Sequence, residues 1–167
     1  MLVPVFRDAA GDLRLVLLVR ADNGGLHGGQ LGLPGGKSEP DDDDLLATAL
    51  REAEEEIGLT REQVEVLGEL DPVLSGPSRF RVHPFLARVP AGVAWRPSPD
   101  EVVDVLTPRV ADLAEPEARR ELLFRSSRWP DGLAVDGIAI GEHVLWGMTL
   151  RLLDDLVPRL VAGEWPV

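Results

Sequence analysis

Glu52, Glu55 and Glu56 are the residues of this chain most able to do chemistry, because they recur at spacings of three and four. On a helix that turns about 100° per residue they share one flank, while Leu46, Leu50, Ala53 and Ile57 line another. Like charges at this spacing destabilise a bare helix by a few tenths of a kcal/mol per pair. Such a flank therefore needs either solvent or a bound cation, and both readings stand on spacing alone. Hard carboxylate oxygens suit Mg²⁺ or Mn²⁺, and general metal-assisted chemistry is what such a cation would offer. Just before the helix, Pro34-Gly35-Gly36 forms a turn whose backbone could approach a ligand closely.

The elements that must position these residues follow from local pattern. A helix is expected from Asp44 to Gly58, with Asp43 or Asp44 as cap and Gly58 as stop. Asp41 to Asp44 are expected to serve the helix start, where negative charge meets the positive dipole end, rather than metal. Ahead of it, residues 21–44 are too rich in glycine and aspartate for a strand or long helix and read as one long loop. Loops of that length inside domains are more often functional than idle. Apolar runs at 2–6 and 13–19, joined by the turn at 8–12, read as a hairpin, and further strands are expected at 64–70, 80–89 and 102–106. Residues 144–157 have helical spacing, with Trp146 on the apolar stripe.

Composition narrows the rest. A chain of 167 residues, 44% hydrophobic and 28% charged, fits a single globular domain spanning 1–167. There is no cysteine, which removes disulfides, thiolate metal sites and thiol nucleophiles. A formal net charge of −12 disfavours polymeric nucleic acid as a partner, although metal held on carboxylates would still admit a small phosphorylated ligand. No secretion signal or membrane-length apolar run is seen, so a cytoplasmic protein with no membrane contact is the expectation, and a homodimer is left open. His83 and His143 have no spacing that suggests zinc and read as packing or surface residues.

The stretch GKSEPDDDDLLATALREAEEEIGL, from Gly36 through Leu59, resembles the Nudix box, G-x5-E-x7-R-E-U-x-E-E-x-G-U. Arg51, Glu52, Glu55, Glu56, Gly58 and Leu59 match its second half, with Ala53 in the aliphatic slot. Asp42 stands in the first Glu slot, and eight residues rather than seven separate it from Arg51. That longer spacing is similar to the coenzyme A pyrophosphatase branch. The signature of that branch precedes the box, and Leu17, Leu18, Arg20, His27, Gly29, Gln30 and Pro34-Gly35-Gly36 fall in register with it. Gly24-Gly25 replaces an expected Leu-Arg pair, and the lost arginine bears on the substrate more than on hydrolysis.

The resemblance implies an α/β fold: an α/β/α sandwich around a mixed sheet, with a loop-helix-loop holding the metal. It assigns Glu52, Glu55 and Glu56, with the Gly36 carbonyl, as ligands of Mg²⁺ or Mn²⁺, and Arg51 as the residue that orients a glutamate. Arg20, His27, Gln30 and Gly35 are candidate substrate contacts. Arg20 could equally close the loop, and His27 and Gln30 could equally satisfy loop backbone. Glu101 is a candidate further ligand or general base, set against a merely solvated glutamate. The implied reaction is hydrolysis of coenzyme A or acyl-coenzyme A to 3′,5′-ADP and 4′-phosphopantetheine. Its rivals are a Nudix pyrophosphatase on ADP-ribose, a dinucleotide or an oxidised nucleotide, and a non-catalytic nucleotide-sensing module.

Overall fold

The computed structural model describes residues 1–25, 27–75 and 80–167. Strand β1 (Leu2–Arg7) turns back into β2 (Leu13–Leu15) as an antiparallel hairpin, in the expected place. The run expected as one strand over 13–19 is divided: Val16 separates β2 from β3 (Leu17–Arg20), and the two halves join different sheets. Inside the expected loop lies a short strand, β4 (Leu31–Gly32), which pairs with β3. Leu31 and Gly32 are both buried, so their backbone groups need ladder partners despite the polar surroundings.

Helix α1 (Leu45–Ile57) begins on Asp44, whose side chain accepts from the Ala47 N–H at 2.7 Å. It stops at Gly58, which adopts a left-handed φ of 69°. Strand β5 (Glu65–Glu69) matches the third expected strand. A two-stranded ribbon follows, β6 (Val73–Leu74) with β7 (Arg81–Val82), and then β8 (Phe85–Arg88). The expected strand at 80–89 is thus two strands, parted at His83-Pro84, where proline has no N–H to give a ladder. Strand β9 (Val102–Leu106) lies where expected and is followed by a short helix α2 (Val110–Leu113).

Strands β10 (Arg119–Ser126) and β11 (Trp129–Ile140) form a long hairpin, and β12 (His143–Trp146) pairs with β11. The last helix, α3 (Gly147–Val161), starts three residues later than expected and runs further. Residues 144–146 are strand because they continue the ladder opposite Gly137 to Ala139, and Gly147, at φ 68°, turns the chain into the helix.

Strict alternation along the central strands sends side chains to two cores. Val3, Leu15, Leu17, Val19 and Leu86 point to the side that carries α2 and α3. Leu2, Val16, Leu18, Phe85 and Ala87 point to the side that carries α1. A pleated strand buried on both faces has this pattern. The sheet β2-β1-β8-β5 is mixed, since β1 runs parallel to β8 and the other pairs are antiparallel. Its helices lie on both faces, as an α/β/α sandwich requires.

Candidate active site

The apolar stripe of α1 is anchored on the sheet by Ala49, Leu50, Ala53 and Ile57, all buried, and this anchoring fixes where the acidic flank points. Glu56 is carried inward with the stripe and is only 1% exposed. Its carboxylate accepts from the Gly35 N–H at 2.8 Å and lies 3.4 Å from the Arg20 guanidinium. Burial pushes the carboxyl up to about 7, against the opposing pull of Arg20 and the Gly35 N–H, and the charges of Glu52 and Glu101 add to the rise. Glu52 is raised as well, chiefly by burial.

Arg51 gathers this loop and helix. Its Nε and Nη2 donate to the two oxygens of Asp42 at 3.0 and 3.1 Å, its Nη1 reaches Glu52 at 3.2 Å and Glu55 at 3.0 Å, and Nη2 also donates to the Lys37 carbonyl at 3.2 Å. A two-pronged guanidinium–carboxylate pair of this kind fixes geometry as well as charge. Asp42 is correspondingly held well below the usual carboxylate range by Arg51. The expectation that Asp41 to Asp44 all serve the helix start is therefore corrected at Asp42: Asp44 is the cap, while Asp42 binds Arg51, the Thr48 hydroxyl at 2.8 Å and the Glu39 N–H at 2.8 Å.

The glycine turn is built around the same glutamates. A Cβ at Gly36 would fall on the Glu52 carboxylate, and one at Gly35, whose φ is 151°, would strike the Met1 backbone. Arg20 donates to the Gly35 carbonyl at 3.4 Å, so its guanidinium braces the turn while facing Glu56. Glu101 belongs to a different segment of the chain. The segment before β9 docks on the end of α1 through Ser98 N–H to the Glu56 carbonyl, 2.9 Å, and Arg96 N–H to the Ile57 carbonyl, 2.9 Å. It brings the Glu101 charge near enough to raise both Glu52 and Glu56. His27 meets Gln30 at 3.1 Å across the exposed turn of loop 21–30.

All these acidic donors are hard oxygens, and the Gly36 backbone lies against one of them, which is the chemistry a divalent cation takes. Among the described residues, no three His, Cys, Asp or Glu side chains already converge around one point. Arg51, Arg20 and the Gly35 N–H occupy the carboxylates instead.

Sequence reasoning missed two features near this site. One is Asp42 as an organiser, for which its place in the first acidic slot of the box is the readable signal. The other is a cluster of Phe124, Trp129 and Trp146, with ring centroids 5.2 to 6.3 Å apart. Trp146 was expected on the stripe of the last helix; it ends β12 instead and packs on β10 and β11. His83 pairs with Glu69 at 2.8 Å.

Comparison with known proteins bears on the family and the fold. The NUDIX domain profile matches residues 1–128. A protein of Yersinia pestis (strain Pestoides F) named "Uncharacterized Nudix hydrolase NudL" is 46% identical over 88 residues, covering 53% of this chain and 44% of that protein. The chain thus spans about half the length of the curated relatives it matches. Among solved structures, the Nudix hydrolase RenU of M. smegmatis superposes with a TM-score of 0.68 at 16% identity, over 99% of this chain and 85% of that one. The NUDIX domain of Shewanella oneidensis NrtR, complexed with ADP ribose, gives 0.58 at 19% identity, over 95% and 84%. A C. elegans Ap4A hydrolase gives 0.57 at 21% identity, over 66% and 79%. At these identities the solved structures speak for the fold alone, while the profile covers well over half of the chain and includes every glutamate described above: the protein belongs to the Nudix family.

Proposed function

We propose that the protein is a divalent-metal-dependent hydrolase of a nucleotide diphosphate linkage, with coenzyme A or acyl-coenzyme A as its first substrate and Mg²⁺ or Mn²⁺ as its metal. The observation that carries this reading is the pair Glu52 and Glu56 on α1, both raised by burial and by the charge of Glu101 from the segment before β9, beside a turn where a Cβ at Gly36 would fall on the Glu52 carboxylate. Glu52, Glu55 and Glu56, with the Gly36 carbonyl, would hold the cation. When bound, it supplies charge neutralisation of the diphosphate and a lowered pKa for water. Arg51 is a positioning residue, since it spans Glu52 and Glu55 and ties them to Asp42. Arg20 is suited to face a substrate phosphate from the Glu56 side, and Glu101 to take the proton of the attacking water. His27, Gln30 and Gly35 line the approach as substrate contacts. Attack of water on phosphorus opens the anhydride, and coenzyme A would leave as 3′,5′-ADP and 4′-phosphopantetheine.

The in-register residues from Leu17 to Gly36 and the eight-residue spacing from Asp42 to Arg51 support coenzyme A. Gly24-Gly25, in place of the Leu-Arg pair, supports a second reading in which another nucleoside diphosphate is cut. The solved relatives named for Ap4A and complexed with ADP ribose keep that reading in view. Initial rates on coenzyme A, ADP-ribose, NADH and nucleoside triphosphates, each with Mg²⁺ or Mn²⁺, separate the two. Preference for coenzyme A is expected, and its absence defeats the first reading. Glu56→Gln should lower turnover at least about a hundredfold with the fold intact, and a rate like wild type would refute catalysis at this helix.

A further inference from the structure

Loop 21–30 does not stand alone on the surface. Asp22 accepts from both the N–H and the hydroxyl of Ser127, each at 2.5 Å, which clamps the loop to the turn between β10 and β11. Gly29 lies against the same turn, where an added Cβ would sit 3.6 Å from Cβ of Ser126 and 3.8 Å from the Arg125 carbonyl. The Gly29 N–H in turn donates to the carbonyl of Arg20, whose side chain faces Glu56. A wall therefore runs from the buried glutamate, through one arginine, to β10.

At this seam opens a cavity of about 210 Å³, lined by Gly29, Phe124, Arg125, Glu142 and His143. Its chemistry is incomplete as built. Arg125 is exposed and makes no hydrogen bond or ion pair among the described residues. Beside the cavity, the buried Ser126 hydroxyl and Nε1 of Trp146, whose ring lies 5.2 Å from that of Phe124, have no partner among the described residues. An unsatisfied buried polar group costs about 1–3 kcal/mol, and such groups are rare enough in native folds that each asks for an explanation.

We infer that this cavity is an anion subsite that receives a terminal phosphate monoester of the nucleotide substrate, with Arg125 as the selecting charge. This rests on the hydrolase reading above and deepens it. The planar guanidinium offers paired donors that match phosphate oxygens. Glu142 shares the rim, so recognition depends on direct contact with Arg125 rather than on a broad positive field. The site distinguishes a substrate phosphorylated on ribose from its dephosphorylated counterpart.

The test measures kcat/KM for coenzyme A and 3′-dephospho-coenzyme A with wild type, Arg125→Ala and Arg125→Lys. Wild type is expected to prefer coenzyme A at least tenfold, Arg125→Ala to bring the ratio within about threefold of one, and Arg125→Lys to restore part of it. A ratio near one in wild type, or one that Arg125→Ala leaves intact, overturns the inference. If neither compound is hydrolysed, the coenzyme A reading fails on its own. The subsite is then judged by calorimetric titration with 3′,5′-ADP and 5′-AMP: it stands if Arg125→Ala weakens only 3′,5′-ADP, at least tenfold, and falls otherwise.

Discussion

A buried carboxylate that faces other carboxylates should weaken the metal-free protein, and Glu56→Gln tests this directly. The folded chain holds the Glu56 proton up to about pH 7, whereas the unfolded chain releases it near 4.5. The unfolded state therefore binds fewer protons across that window, and stability falls as pH rises from about 4.5 to about 7. At about 1.36 kcal/mol per pH unit, the ceiling is about 3.4 kcal/mol at pH 8. Glutamine keeps an acceptor for the Gly35 N–H, 2.8 Å away in the parent, and forfeits the 3.4 Å approach to Arg20, so the net gain lies below that ceiling. At roughly 2–4 °C per kcal/mol for a chain of this size, Glu56→Gln should raise Tm by up to about 10 °C at pH 8 in EDTA and by almost nothing at pH 5. Added Mg²⁺ should narrow the gap, because it stabilises only the parent by mass action. Thermal melts of the two proteins at both pH values, with and without metal, provide the measurement. A variant that melts no higher than the parent at pH 8, or gains equally at pH 5, would refute the reasoning.

Three further outcomes follow from the same geometry. Gly36→Ala places a methyl group on the Glu52 carboxylate, so activity should drop at least about tenfold while circular dichroism and Tm stay near the parent values. Arg51→Lys cannot hold both oxygens of Asp42 and reach Glu52 and Glu55 together, and kcat should fall about 10–100-fold, with a smaller change in KM. Leu153→Ala, at a position 2% exposed beneath the sheet, should cost about 2–5 kcal/mol in urea unfolding while leaving the rate per folded molecule unchanged.

Helix α1 was legible because its signals are local: a capping aspartate, a stripe at helical spacing and a glycine that takes the left-handed stop. The placement of Glu52, Glu55 and Glu56 on that helix was legible for the same reason, since it follows from local spacing. Residues 107–143 were not legible. In β10 exposed side chains occupy successive positions, with Phe124 its one buried residue, so no apolar alternation marks the strand. Gly132 and Gly137 make the hairpin possible by leaving room for Leu123 and for the β12 backbone, a requirement visible only once the partners are known. Residues 144–146 were drawn into the helix because Leu145 and Trp146 fit its spacing by coincidence. What decides them is pairing with Gly137 and Ile138, far back along the chain. Arg20 and Glu101 show the same limit: each is a single charge in sequence, and only the docking of the segment before β9 onto the end of α1 brings the second of them to the glutamates.

The arrangement around Arg51 explains why an aspartate can stand where the box asks for glutamate. Aspartate is one methylene shorter, and the loop that carries it is one residue longer before Arg51. The carboxylate still reaches Nε and Nη2 of the guanidinium, and it also binds the Thr48 hydroxyl and the Glu39 N–H. Arg51 is thereby held from the loop side, which leaves Nη1 to span Glu52 and Glu55. The three glutamates of α1 thus lie on two arginines, Glu56 on Arg20 and Glu52 and Glu55 on Arg51, of which each is already committed to backbone or to Asp42. Glu52 and Glu56 both have raised pKa values, chiefly because burial disfavours their charged forms, and the Glu101 charge adds to the rise. Glu56→Gln would relieve that burial cost in stability and, on the proposed reading, would also remove a metal ligand, so that one substitution raises Tm and lowers turnover.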